Sequence, residues 1–420
     1  MDLKCEMNSL YDAEWYRVLN LITQTNLKEI YMSVFTNQKK VEALAVAVAD
    51  EMPYIKKSQT MISQGEMENK GYGMQIHTYI DDPGKVYDGL ETIPEGVTQI
   101  EYSTTLKNKN TNVEYDSWDK LVNIRDFKQK IINKKAVKLA KTVQDDVIKS
   151  TIYRSCQAVV TSGDAGFDTL SEGAAKLSEV AVAGEKVSFM SPSTMGKIAA
   201  GGLAKFIPDE MQKKIYSKNY LGEYAGASQI QCQGLPVITT PSNMAATISL
   251  TEETSGRGLN KVTSVSITGG VDDASIPFRA EGLKIVDVNG LETDQDYIIF
   301  ADKNGNIPDL RITYKGENFN NPNAWVASGT TALTLEPVLA TGTKYEVGSV
   351  RIADALGFDT YKFNHMPATE EFGTETVDGV RLECVAASDV LKRKSIVRID
   401  CPYAAQIAEP RQTVCMFIKK

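Results

Sequence analysis

From Trp118 to Val160 the sequence reads WDKLVNIRDFKQKIINKKAVKLAKTVQDDVIKSTIYRSCQAVV, with neither proline nor glycine. Ile132, Ala136, Leu139, Val143 and Val147 recur three or four residues apart, which sets them on one face of a helix. Lys130, Lys134, Lys138, Lys141 and Lys149 fall mostly on the opposite side, with Asp145 and Asp146 between them. The pattern predicts one long helix of about thirty residues, spanning roughly 45 Å at 1.5 Å per residue. Ordinary globular helices run to about 11–12 residues.

Upstream, Asn37 can cap a helix that runs through Val41, Leu44, Ala45 and Val48 to Met52, where Pro53 ends it. Residues 54–116 are rich in Gly, Thr, Tyr and Asn and carry short alternating pieces such as Met74 to Ile80. They read as a long β-excursion with little core of its own. Downstream, Leu170 to Val180 forms another helix, and Lys186 to Met190 a short buried strand. Ser191 then caps a helix with Pro192 at its first position. Gly234 to Thr240 is a further strand, so the region 165–240 is α/β.

From about 245 to 343 helical periodicity stops. Val262 to Ile267, Leu283 to Val288, Tyr297 to Phe300, Leu310 to Tyr314 and Ala332 to Leu335 alternate as short strands, with a hairpin signal at Asn304-Gly305. Closely spaced strands over about a hundred residues predict a small barrel or sandwich. Val380 to Cys384, Ser395 to Asp400 and Thr413 to Ile418 are expected to return to the sheet begun before 245. The β-region would then be an insertion in an α/β domain.

The 420 residues carry a net charge of −8, with 24% charged and 42% hydrophobic residues. That is ordinary globular composition, and no apolar run approaches the ~18 residues of a membrane helix. Cys5, Cys156, Cys232, Cys384, Cys401 and Cys415 are scattered without a CxxC pair, which suits free thiols in a reducing compartment. An acidic chain is not built to coat DNA through counterion release.

Little chemistry is assembled. The only histidines are His77 and His365, too few for a His-based triad or metal cluster. No GxxxxGK[ST] loop and no GxGxxG between a strand and a helix is present. Asp302 to Asn306 half resembles a calcium loop, but its glycine is misplaced and Thr313 stands where the last acidic ligand belongs. The acidic pairs are sequence neighbours whose side chains diverge. No catalytic, cofactor or metal residue is expected, and the chain reads as no enzyme. Lys28-Glu29 can be encoded by a ribosome-binding purine run shortly before Met32, so residues 1–31 are expected to be a translated leader or disordered extension.

The order of parts resembles the major capsid proteins of tailed phages, the Hong-Kong-ninety-seven-type fold. Within these it is similar to the podovirus coat proteins of the phage P-twenty-two type, which carry an inserted β-barrel. Gln38 to Glu51 resembles that family's N-arm helix, with the family's start standing at Met32. Phe127 to Val147 resembles its spine helix. Val187 to Pro192, Phe206 to Glu210, Tyr224 to Gly226 and Gly234 to Thr239 resemble the run from spine to insertion, and Leu333 to Pro337 the insertion's last strand. Residues 345–380 do not align with the family pattern.

The resemblance implies an α+β capsid fold. Its parts are a leader or extension at 1–31, an N-arm helix at 32–53, an extended β-arm at 54–117, and spine helix with peripheral and axial core at 118–244. An inserted β-barrel at 245–343 and a return to the core at 344–420 complete it. It implies self-assembly into pentamers and hexamers of an icosahedral shell, found in the virion after assembly in the host cytoplasm. Scaffolding and portal proteins would be partners, packaged DNA would be held without sequence-specific contacts, and no membrane or cofactor is implied. Asp50 and Glu51, two carboxylates at a helix C-terminus where the dipole disfavours them, are the candidate contact for a basic scaffolding partner. Two alternatives are a compartment shell of the encapsulin kind and a carbohydrate- or surface-binding module, in which an exposed row of aromatic residues on 245–343 would be the binder.

Overall fold

A computed structural model describes residues 45, 51–59, 61, 71–81, 99–116, 133–161, 166–180, 182–200, 222–252, 259–307, 311–314, 324–362, 371–377, 379–389, 394–407 and 409–420. The fold is α+β, with few helices and many strands. The helices are α1 (Asn133–Thr151), α2 (Phe167–Glu179) and α3 (Pro192–Ala200). The strands are β1 (Gln75–Asp81), β2 (Gln99–Thr105), β3 (Lys107–Asp116), β4 (Ala158–Val160), β5 (Lys186–Met190), β6 (Glu223–Tyr224), β7 (Ala227–Gln231), β8 (Val237–Thr239), β9 (Ala245–Glu252), β10 (Leu259–Thr268) and β11 (Ile276–Val286). They continue as β12 (Glu292–Ala301), β13 (Arg311–Tyr314), β14 (Ala324–Val326), β15 (Ala332–Pro337), β16 (Lys344–Ile352), β17 (Leu356–Thr360), β18 (Glu371–Val377), β19 (Val380–Asp389), β20 (Lys394–Ile407) and β21 (Thr413–Lys419).

The chain divides into two units. The smaller takes Met1–Asp50, Asn110–Leu139 and Asn364–Cys401, and the larger takes Glu51–Lys109, Ala140–Phe363 and Pro402–Lys420. In the smaller unit β18, β19 and the first part of β20 form an antiparallel meander, with Phe372 opposite Val385 and Cys384 opposite Ile399. Lys394 pairs with Glu114 of β3 in the same unit. Val380–Cys384 and Ser395–Asp400 are therefore strands as expected, but of this sheet and not of the one begun before 245. Their ladder partners are each other, because short connections favour pairing of sequence neighbours.

The larger unit is organised on a mixed sheet in the order β4-β21-β16-β5-β7-β6, with β8 pairing the start of β16. β16 is its pivot. Its first residues lie against β8, its last against β5, and its whole length against β21, with Val347 opposite Phe417. Every residue of β16 after Lys344 is buried. A strand covered on both faces shows no alternation, which is why Lys344–Ile352 carried no strand signal. Helix α2 lies on this sheet through Gly173, where a Cβ would come within 3.0 Å of Val350 Cγ2. Helix α3 starts as its sequence predicts, with Pro192 first and Thr194 N donating to Ser191 Oγ at 3.2 Å.

The long helix holds through the described part of the periodic stretch and ends at Thr151, one turn after Val147. Among the described residues it runs 19 residues, Asn133–Thr151, about 28 Å at 1.5 Å per residue. Ala136, Leu139, Val143 and Val147 are all buried, as the pattern requires. After Thr151 the chain turns, because Ser155 Oγ accepts from Gln157 N and offers the backbone an alternative to the helix. Ala158–Val160 then pairs in parallel with Cys415–Phe417. Trp118 to Ile132 and the N-arm up to Asp50, apart from the helical and buried Ala45, lie outside the described residues, and Glu51 to Pro53, where the helix was expected to end, are not helical.

β9 to β15 form one sheet that closes on itself. The path runs β11-β14-β13-β10-β9-β15, and β15 returns to pair with β11. Closure is possible because β11 bends: Phe278–Ala280 pairs with β15 and Lys284–Ile285 with β14, on either side of Gly282 at φ 80°. Ile248, Leu250, Ile276, Phe278, Leu283, Ile285, Ile312, Leu333 and Leu335 fill the inside. Asn304-Gly305 is a turn but not a hairpin tip, since β12 pairs β11 and not β13. The Asp302 carboxylate makes the turn, accepting from the backbone amides of Asn304 and Asn306 at 2.8 Å.

Candidate assembly surfaces

β1 and β2 form a two-stranded antiparallel ribbon, in register from Gln75 opposite Thr105 to Asp81 opposite Gln99. Among the described residues it pairs with no other strand. A lone two-stranded ribbon is marginal in water; Tyr102, opposite Thr78 at its middle, is buried, Thr104 Oγ1 donates to Ala405 O at 3.4 Å, and the root is packed. There Ile76 and Leu106 meet Tyr361, Ala404 and Met61 in a small separate cluster. Leu106 N donates to Met74 O at 2.8 Å and Tyr361 Oη to Lys107 O at 3.2 Å. Beyond the root the ribbon shows Tyr79 at 57% exposure, with Tyr72 at 70% beside it. His77 Nδ1 faces the Glu101 carboxylate across it.

The segment entering the ribbon is fixed in a different way. Met52, Tyr54 and Ile55 are buried, so residues 54–59 belong to the packed body and not to the extended arm. Their anchor is Arg351 of β16, which is fully buried. Its guanidinium lies 4.8 Å from the Phe189 ring centroid and 5.4 Å from that of Tyr54, a cation–π stack that desolvation strengthens. Nη2 donates to Tyr54 O at 2.9 Å and Nη1 to Ala353 O. Burial pushes the Arg351 pKa down to about 10, with the negative ends of Tyr54 and Asp354 opposing it, so the group keeps its charge near neutrality.

Two further charged centres tie elements of the larger unit together. Asp146 of α1 accepts from Lys107 Nζ at 2.9 Å and from Tyr403 Oη at 2.8 Å, and Lys109 stands at 3.7 Å. Burial alone would raise its pKa; these hydrogen bonds and charges outweigh burial and hold the carboxyl below its usual value. Arg411 and Glu409 are both buried and joined by two hydrogen bonds, at 2.7 and 2.8 Å. Arg411 also donates to Val286 O at 2.9 Å, linking the last turn before β21 to the end of β11.

Of the pair singled out by sequence, Glu51 is half-exposed and stands 3.5 Å from Lys141 Nζ on α1. Asp50 and His365 lie outside the described residues. Cys156, Cys232, Cys401 and Cys415 are buried and free, and Cys384 is free and partly buried. Of the aromatic residues of 245–343 that a sugar-binding face would need, Phe278, Tyr297, Phe300 and Trp325 are buried, and the side chains of Tyr314 and Phe319 lie outside the described residues. Among the described residues no group of three or more His, Cys, Asp or Glu is placed to hold a metal ion. No helix among them is long and apolar enough to cross a membrane. Arg351, Asp146 and Arg411 were missed by sequence reasoning. The usable signal was a charged residue inside an apolar run, as in Val350-Arg351-Ile352.

No protein-family model and no curated protein matches the chain. Solved structures resemble it over most of its length. The capsid of Ralstonia phage GP4 is similar at 6% identity and a TM-score of 0.47, covering 87% of this chain and 88% of that one. The capsid structure of the cyanophage P-SCSP1u is similar at 9% identity and a TM-score of 0.46, covering 87% of each chain. A chain from Mycobacterium phage Che8 is similar at 9% identity and a TM-score of 0.45, covering 86% of this chain and 89% of that one. With identities and TM-scores this low, the functional reading rests on the chain's own residues.

Proposed function

We propose that this chain is the major capsid protein of a tailed bacteriophage, assembling with copies of itself into an icosahedral shell that encloses double-stranded DNA. The observation that carries the reading is the β1–β2 ribbon. Among the described residues it pairs with no other strand, and it leaves Tyr79 and polar side chains outward, which a neighbouring subunit would cover. An arm of this kind costs stability in a monomer and is repaid by burial between subunits. The long helix, the mixed sheet and the closed β-sheet follow in the order that the resemblance requires. Residues 245–343 are read as a barrel inserted between β8 and β16, two strands that remain ladder partners. On this reading the chain is similar to the coat proteins of the P-twenty-two type.

Pentamers and hexamers are the expected building units, with scaffolding and portal proteins as partners and DNA held without base-specific contacts. Asp50 and Glu51 are read as the scaffold contact. Nothing in the reading calls for a catalytic step or cofactor, and the mature location is the virion, after assembly in the host cytoplasm. Sedimentation velocity tests the arm's role. The full chain should form large particles, and a variant with residues 75–105 replaced by a short Gly-Ser turn should sediment as a monomer. Particles of equal yield from both would contradict it.

A further inference from the structure

We infer that residues 51–61 form a latch, closed by Arg351, that sets the position of the β1–β2 ribbon on the body of the larger unit. The segment is held at both ends by different chemistry. At its start the Tyr54 ring and carbonyl bind the buried Arg351 guanidinium. Tyr54 N donates to Gln144 Oε1 at 3.2 Å, and its hydroxyl is 3.3 Å from Thr151 Oγ1, so this end is also tied to α1. In the middle Lys57 adopts φ 68° and pairs with Glu185 at 2.7 Å. At its far end Gln59 forms a bridge with Gly357, and Met61 N donates to both Asp359 carboxylate oxygens, at 3.1 and 3.0 Å.

Met61 is also the residue through which the segment touches the ribbon. Its side chain packs on the root cluster of Ile76, Leu106, Tyr361 and Ala404. It fits there because residue 357 is glycine: a Cβ at that position would collide with the Met61 side chain. The segment therefore runs from a buried cation on the central sheet to the packed foot of the ribbon. The Arg351 end is suited to opening and closing as a unit. Its hydrogen bonds run to peptide carbonyls, two of them, Tyr54 O and Lys57 O, on the segment itself. Release of the segment would remove both and one face of the aromatic stack together, a loss that a buried cation registers strongly. The latch is a property of the single chain, whatever the chain assembles into.

Hydrogen exchange of the full chain tests this. Arg351→Met keeps an unbranched apolar side chain between the two rings and removes every donor. Gly357→Ala leaves Arg351 untouched and displaces Met61. Each variant should speed exchange at the amides of Gln59 and Phe358, which carry the bridge, and at Gly73 and Leu106, which carry the ribbon root. The expected change is about tenfold or more, with amides of β9 to β15 unchanged. Arg351→Lys, a point charge with fewer donors, should fall between wild type and Arg351→Met. Faster exchange at Gln59 and Phe358 with the ribbon root unmoved would overturn the coupling. So would a uniform increase across the whole unit, which would make Arg351 an ordinary core residue. If Arg351→Met fails to fold, Gly357→Ala decides alone by the same amides.

Discussion

Tyr403 Oη donates to Asp146 Oδ2 at 2.8 Å, joining the second half of β20 to α1. The same carboxylate oxygen takes Lys107 Nζ at 2.9 Å, so the end of the ribbon, the helix and β20 meet at one group. The carboxyl's pKa is lowered in the folded state. Its contribution is therefore fully present above the unfolded value of about 3.9 and is lost as pH falls through the lowered one. Asp146→Asn should cost about 1 kcal/mol in urea unfolding at neutral pH, after allowance for partial exposure. The gap to wild type should narrow below about pH 4. Tyr403→Phe should show a smaller loss. A gap that persists unchanged into acid would show that the charge on Asp146 contributes nothing.

The buried pair Glu409 and Arg411 should behave differently. Arg411→Leu strands a buried carboxylate and two carbonyls, and breaking a buried pair in this way typically costs about 3–5 kcal/mol. Glu409→Leu with Arg411→Leu should recover part of that loss. Denaturant midpoints of the two variants, compared at equal m-value, measure the difference.

Turn glycines should rank by what surrounds them. Gly329 sits at φ 84° with nothing within 4 Å, so Gly329→Ala should cost only the left-handed strain, about 1–2 kcal/mol. Gly305, at φ 77°, would place a Cβ 3.1 Å from Val265 O, so Gly305→Val should cost more. At Gly269, also at φ 77°, a Cβ would collide with the Asn243 carbonyl, and Gly269→Ala should be the worst of the three. Thermal midpoints should fall in that order.

The thiols should be silent while the chain is folded. Burial pushes Cys232 and Cys401 up to about 12 and raises Cys156 and Cys415 as well. At mildly alkaline pH too little thiolate forms for alkylation. Mass spectrometry after brief iodoacetamide treatment should find these four unmodified in the native protein and all modified after denaturation.

Asp50→Asn with Glu51→Gln should leave the fold intact and weaken scaffold-directed assembly, more at low salt than at high salt. Each exposed pair is worth only about 0.2–1 kcal/mol, and many copies in a shell add up. Because Glu51 is already shared with Lys141, the larger part of the effect should follow Asp50. Normal yield and size distribution at both salt concentrations would remove the pair from the scaffold contact.

Where one face of an element is wet, the sequence was readable. The alternation of Leu333 and Leu335 inward against Ala332 and Thr334 outward is of this kind, as is the row Ala136, Leu139, Val143 and Val147 on α1. The pivot strand Lys344–Ile352 was not readable, because burial on both faces erases the period. Ala158–Val160 was not readable as a strand, because it becomes one only through pairing with β21, a partner about 250 residues away. Asn304-Gly305 was readable as a turn but not as a connection, since the strands around it pair elsewhere. The Arg351 anchor depends on Tyr54 and Phe189 meeting in space, which no local pattern encodes.

Negative-stain electron microscopy of the full chain expressed alone tests the central claim most directly. Closed shells, partial shells or spirals built of one repeating subunit are the expected result. Uniform monomers or small closed oligomers at every protein concentration, with the chain folded, would contradict it.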